Sequence, residues 1–221
     1  IGGQALGNRA LLESVGVKEG FRVIVLEKLG YNFKELFDVL EKQGFRPSQI
    51  AVHCSSKSGT TDETLINFQA VVRELIIRLS KELYQDERIG LDLINHLDSK
   101  GDLSSLSLSD LEIDGKQREI LRQVFIRLIF TTTYDEEKSM LYRLARGRLA
   151  KELLGSGRAG IFVVPIPYNI DGRFSERSQS GEVTSCFAGR DIFRLNQGAK
   201  VALPIYKSND PEVNPALKTA I

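Results

Sequence analysis

The sequence has no excess of either charge. Its 221 residues carry 30 basic against 29 acidic side chains, a formal net charge of +1. A nucleic-acid surface needs clustered cations, so this balance leaves no electrostatic footprint for DNA or RNA. Cysteine is scarce: Cys54 and Cys186 are the only two. Two cannot form a disulfide framework, and they read as reduced thiols of a cytoplasmic protein. No apolar run approaches the length of a membrane-spanning helix; the densest, residues 161–165, is strand-sized. The N-terminal stretch lacks the basic-then-apolar plan of a secretory leader. Internal repeats and low-complexity tracts are absent as well. What is present is 42% hydrophobic residues, enough to bury a core and too many for a disordered tail. The length suits one domain or one and a half. The chain begins at Ile1 rather than Met, which reads as a fragment of a longer protein.

The pattern alternates strand and helix. Residues 8–14 read as a short helix, and residues 22–27 (Arg-Val-Ile-Val-Leu-Glu) as a buried strand. Asn32 can cap the next helix, with Glu35 completing a capping box. An apolar stripe of Leu36, Val39 and Leu40 follows, and Gly44 stops it. Residues 50–54 form a second strand. A Ser/Thr-rich loop over 55–61 leads into a long amphipathic helix carrying Leu65, Phe68, Val71, Val72, Leu75, Ile76 and Leu79. The Ser-, Asp- and Leu-rich stretch 86–119 breaks the rhythm and reads as a surface insertion. A strand at 128–131, a helix over 135–154 and a strand at 160–164 resume it. This alternation predicts an α/β fold, a parallel sheet with helices on both faces. Ligands of such sheets sit beyond the carboxyl ends of strands, which is where the loop after Cys54 lies.

That loop is Ser55-Ser56-Lys57-Ser58-Gly59-Thr60-Thr61. The first turn of a helix presents unpaired N–H groups and a positive dipole end, and phosphate is the usual anion there. The hydroxyls of Ser56, Ser58, Thr60 and Thr61 add donors, and Gly59 lets the backbone approach a ligand. Each hydrogen bond to a charged oxygen contributes about 1.5–3 kcal/mol. The alternative is an ordinary capping cluster. The order of residues is not that of a P-loop.

Two further elements stand out. Ile1-Gly2-Gly3-Gln4-Ala5-Leu6-Gly7 precedes a helix and fits a second phosphate-facing turn, a loose dinucleotide fingerprint with Glu27 as the ribose acid, or a tight turn that needs glycine. Asp171-Gly172-Arg173-Phe174-Ser175 follows the last strand. In a pocket Arg173 stabilises an anion or a developing enolate; on the surface it forms an ion pair of little worth. Cys54 reads as a buried, inert thiol, and His53 and His96 as structural or exposed. Asp135, Glu136 and Glu137 read as helix-dipole partners rather than a metal site.

Together and in this order, the three elements resemble the glucose-6-phosphate isomerase family. Its Gly-rich turn is similar to residues 1–7, its phosphate loop to Ser56-Lys57-Ser58-Gly59-Thr60-Thr61-Asp62-Glu63-Thr64, and its arginine signature to residues 171–175. Asn214-Pro215-Ala216 resembles the start of a later helix. The resemblance implies a sugar-isomerase (SIS-type, flavodoxin-like) domain over 1–205, a three-layer αβα sandwich with a mostly parallel sheet. Residues 86–119 are then an insertion, and 206–221 begin a linker or helix toward a further domain.

The implied activity is the aldose–ketose isomerisation of glucose 6-phosphate and fructose 6-phosphate, a step of glycolysis and gluconeogenesis. A carboxylate base moves a proton between C1 and C2 through a cis-enediol, with no metal or organic cofactor. By the same resemblance Ser56, Ser58 and Thr61 hold the phosphate beside the Lys57 backbone. Thr60, Gly2, Gly3 and Gly172 complete the phosphate site. Arg173 stabilises the enediolate, and Glu63 plays a supporting catalytic role.

The family's base, ring-opening histidine and C-terminal lysine lie later in its chain and match nothing here. Gln4 replaces a family serine, and Asp171 a family glycine. A non-catalytic sugar-phosphate-binding module is the alternative reading. The implied partners are a hexose 6-phosphate and either a second copy or a second SIS domain, with no nucleic acid and no membrane. A sheet strand ending at Ile1 is also expected and lies outside the sequence, leaving edges for another segment to cover.

Overall fold

The computed structural model describes residues 9, 12–13, 16–26, 28–155, 157, 160–166 and 179–220. At its centre is a parallel sheet of β1 (Val52–Ser55), β2 (Leu128–Thr132) and β3 (Phe162–Pro165), in the order β1-β2-β3. Cys54 lies opposite Phe130, and Phe130 opposite Val163. All three are buried, so one face of the sheet is apolar across its width. Phe68, from α2 (Asp62–Tyr84), meets Phe130 edge-on at 5.4 Å. His53 points to the other face, because neighbours on a strand alternate. There it meets Phe187 of α7 (Gln179–Phe187), ring centroids 5.8 Å apart. Helices thus cover both faces, as a parallel sheet requires. The fold is the expected α/β architecture, a three-layer αβα sandwich.

Three expectations are corrected. Residues 22–26 have no regular secondary structure, and they join no ladder among the described residues. Their β-branched composition favours extended backbone, but a strand also needs a hydrogen-bonded neighbour. Residues 86–119 are not a loose surface insertion. They include α3 (Glu87–Lys100) and the start of α4 (Gly115–Phe125). Leu93, Ile94, Leu97 and Leu111 from this stretch are buried in the main core. At Gly90 a Cβ would come within 3.0 Å of Ile77 Cα, and its N–H donates to Ser80 Oγ at 3.1 Å. A methyl group there would push α2 and α3 apart by a few tenths of an ångström. The sequence does not display that contact, so its Ser–Leu pattern reads as a loop. Residues 135–154 are a turn followed by two helices, α5 (Met140–Arg146) and α6 (Arg148–Leu154). The break is Gly147, against which Ser104 O presses too closely for any Cβ.

Other local readings hold. Asn32 caps α1 (Phe33–Lys42), its side chain accepting from Glu35 N at 3.2 Å. Gly44 takes the left-handed φ of +87° that ends it. The buried stripe of α1 is Phe33, Phe37 and Leu40, whereas Val39 is exposed. After α8 (Ile192–Lys207), Asn214 opens α9 (Pro215–Ala220) by accepting from Ala216 N.

α1 is fastened to α2 by a buried cation. Arg78 is buried on α2, and its guanidinium donates to Asp38 at 2.6 Å, Glu41 at 3.0 Å, Glu74 at 2.6 Å and Lys34 O at 3.2 Å. Burial opposes its charge, but the bonds to Glu74 and Asp38 outweigh that, and Arg78 is held above its usual range. Arg78 in turn lowers the Asp38 carboxyl.

Candidate functional site

The hydroxyl loop occupies the carboxyl end of β1. Ser56 N donates to Thr131 O at 2.9 Å, which continues the ladder one residue past the strand. The chain then turns. Gly59 N donates to Ser56 Oγ at 3.1 Å, Ser56 Oγ lies 3.0 Å from Thr61 Oγ1, and Thr60 N donates to Ser58 Oγ at 3.2 Å. Thr61 is the N-cap residue of α2, and its side chain makes no capping bond. The hydroxyl oxygens of Ser56 and Ser58 thus accept backbone hydrogen bonds that shape the loop, and the first turn of α2 has no side-chain cap.

Three residues that sequence reasoning missed support the loop from below. Thr132, Thr133 and Ser139 are all buried. Lys57 O accepts from Thr133 N at 3.1 Å and from Thr133 Oγ1 at 2.9 Å. Thr132 Oγ1 lies 2.9 Å from Ser139 Oγ, directly under Gly59. Gly59 has φ +68°, and any Cβ there would overlap Ser139 Oγ. The signal was available: the run Thr131-Thr132-Thr133 ends β2 next to the end of β1, and ligand sites collect at the ends of adjacent parallel strands.

The structure thus brings together Ser56, Lys57, Ser58, Thr60 and Thr61. Glu63 is exposed on the first turn of α2. Gly2, Gly3, Gly172 and Arg173, with Gln4, Glu27 and Asp171, lie outside the described residues.

Electrostatics separate this loop from the strand beneath it. Burial pushes the Cys54 thiol up to about 12, so it stays protonated and unreactive. Burial also pushes His53 down to about 4, and its Nε2 lies 2.6 Å from Thr131 Oγ1. The imidazole is neutral at pH 7 and takes the ordinary value near 6.5 only on unfolding. The unfolded chain therefore binds the extra proton first, and stability conferred by neutral His53 falls as pH drops from about 6.5 toward 4. The ring keeps some solvent contact, so the loss by pH 5 is at most about 2 kcal/mol. Urea midpoints at pH 7 and pH 5 check this: the His53→Gln variant loses less than the parent. An equal loss in both assigns the effect elsewhere.

Among the described residues, no group of three His, Cys, Asp or Glu side chains lies close enough to hold a metal ion. Nor is any described helix long and apolar enough to cross a membrane.

Comparison with family models gives no match, and a search of curated proteins gives none. A solved structure of a hypothetical protein from Thermus thermophilus is similar to this chain, with a TM-score of 0.59 and 25% sequence identity. The match covers 100% of this chain and 39% of that one. The chain therefore spans well under half the length of that similar protein.

Proposed function

We propose that this chain is the phosphate-binding domain of an aldose–ketose isomerase interconverting glucose 6-phosphate and fructose 6-phosphate. The observation that carries the reading is the hydroxyl loop. It is folded at the carboxyl end of a parallel strand and opens into a helix whose first turn has no side-chain cap. Backbone N–H groups, the helix dipole and short hydroxyls converge there, and this combination suits a phosphate monoester. Ser56, Ser58, Thr60, Thr61 and the Lys57 backbone receive the phosphate, and the family resemblance adds Gly2, Gly3 and Gly172 as further phosphate contacts. Arg173 stabilises the enediolate. The base and the ring-opening residue come from outside this chain. A cytoplasmic location agrees with Cys54 and Cys186 being free thiols.

Calorimetric titration with fructose 6-phosphate tests this, with fructose as the control. Fructose 6-phosphate binds, fructose does not, and Thr61→Val weakens binding at least tenfold, about 1.4 kcal/mol. Equal heats from both sugars would refute a phosphate site. The sequence departures Gln4 and Asp171 favour a second reading, a sugar-phosphate-binding module without catalysis. Isomerase activity in the complete polypeptide separates the two.

A further inference from the structure

Ser56 is buried, with only 4% of its surface exposed. A buried hydroxyl must place its hydrogen on an acceptor, since an unpaired one is costly. Among the described residues its oxygen has two partners: Gly59 N at 3.1 Å and Thr61 Oγ1 at 3.0 Å. Gly59 N–H is a donor and cannot take a second hydrogen. The Ser56 hydrogen therefore goes to Thr61 Oγ1. The chain of bonds runs one way: Gly59 N–H donates to Ser56, and Ser56 donates to Thr61.

Thr61 ends that chain and is partly exposed. Its oxygen already holds the Ser56 hydrogen. Its own hydrogen makes no bond to α2, and Ser58 Oγ, 3.5 Å away, is too far for an ordinary O–H···O bond. That hydrogen is left for a ligand. The groups beside it are donors as well. Ser58 Oγ accepts from Thr60 N at 3.2 Å, so its hydrogen too is free. The first N–H groups of α2 donate and cannot accept.

We infer that the hydroxyl loop is a donor-only site: Ser56 sets its direction through Thr61, and the ligand it takes is the fully ionised dianion of a phosphate monoester. This rests on the phosphate reading and narrows it. A monoanion carries one P–O–H group, which must donate, and at this loop it meets hydrogens. The dianion presents acceptors alone. Each bond in a chain of hydroxyls polarises the next, so the last one, from Thr61, is strengthened. Ser56 is thus a positioning residue, and its share in receiving the phosphate is indirect.

A phosphate monoester loses its second proton near pH 6, so the dianion is about one-tenth of the total at pH 5 and about nine-tenths at pH 7. An affinity that follows the dianion alone falls about tenfold between pH 7 and pH 5. The charged and titratable groups of the surrounding elements are Lys57 in the loop, Asp62 and Glu63 on the first turn of α2, and His53 in the strand beneath. Asp135, Glu136, Glu137 and Lys138 precede Ser139, and Arg143 follows it on α5. Sulfate is a dianion at both pH values and meets the same groups, so it reports their contribution separately.

Calorimetric titration with fructose 6-phosphate, with sulfate as its competitor, at pH 7 and pH 5 tests this. Relative to sulfate, fructose 6-phosphate loses about tenfold in affinity toward pH 5. Ser56→Ala removes the hydrogen that fills Thr61 Oγ1, and that oxygen can then accept from the monoanion. The loss in this variant falls below about threefold, and Ser56→Cys, which keeps a weak donor, lies between. A loss below about threefold in the parent protein overturns the donor-only assignment and leaves a phosphate site in place. A tenfold loss retained in Ser56→Ala overturns the role of Ser56. If neither ligand binds the parent at pH 7, the phosphate reading itself fails and this inference with it. The parent titration decides the first point whether or not the variants fold.

Discussion

Replacing Arg78 with alanine lowers the melting temperature by about 10 °C. The variant leaves Asp38, Glu41 and Glu74 around the site the guanidinium occupied and removes the hydrogen bond that Lys34 O accepts from it. Removing one partner of a buried charge cluster costs about 3–5 kcal/mol, because the others stay desolvated without compensation. Here Asp38 and Glu41 keep solvent contact, so the lower end, about 3 kcal/mol, applies. In a chain of this size each kcal/mol moves the midpoint by about 2–4 °C. Arg78→Lys keeps the charge but cannot make four directed bonds, and it recovers less than half of the loss. Thermal melts of the two variants check this. A shift under about 3 °C for the alanine variant, one kcal/mol or less on the same scale, would mean that α1 is held by Phe33, Phe37 and Leu40 alone.

Gly59→Ala removes fructose 6-phosphate binding, by at least 30-fold in the same titration, while lowering stability by only about 1–2 kcal/mol. Two effects act together. A φ of +68° is costly for any residue with a Cβ, about 1–2 kcal/mol. The added methyl also overlaps Ser139 Oγ, which is held by Thr132 and caps α5 through Tyr142 N at 3.1 Å. The loop is the softer partner and moves, carrying Ser58 and Thr61 with it. Ser139→Gly in the Gly59→Ala background relieves the overlap and costs little as a cap. The double variant therefore regains part of the affinity, limited by the remaining backbone strain. If it regains none, the overlap is not the cause.

The hydroxyl loop and its helix were legible because each signal was local: a buried strand, clustered hydroxyls, a glycine, then a helical repeat. The cap at Asn32 was legible for the same reason, whereas Asn214 was read through the family resemblance. Residues 22–26 misled because composition reports only the preference for extended backbone, and pairing depends on a neighbour elsewhere. The helices within 86–125 hid behind a Ser-rich sequence, since their burial rests on Gly90 and on contacts with α2 that no local window contains. The supporting trio Thr132, Thr133 and Ser139 was missed because it becomes part of the site only when β2 lies beside β1. Parallel pairing joins residues far apart in sequence, and a single chain read in order does not reveal the register.

The clip between Lys57 O and Thr133 has a dynamic consequence. Its two hydrogen bonds, with that from Ser56 N to Thr131 O, tie the loop to the end of the central strand. Releasing the loop then requires unzipping the end of the sheet, so its conformational entropy is lost when the protein folds rather than when a ligand arrives. Such a loop is preorganised. On the proposed phosphate reading it does not close over an incoming anion like a lid, and encounter, rather than a loop rearrangement, sets the association rate.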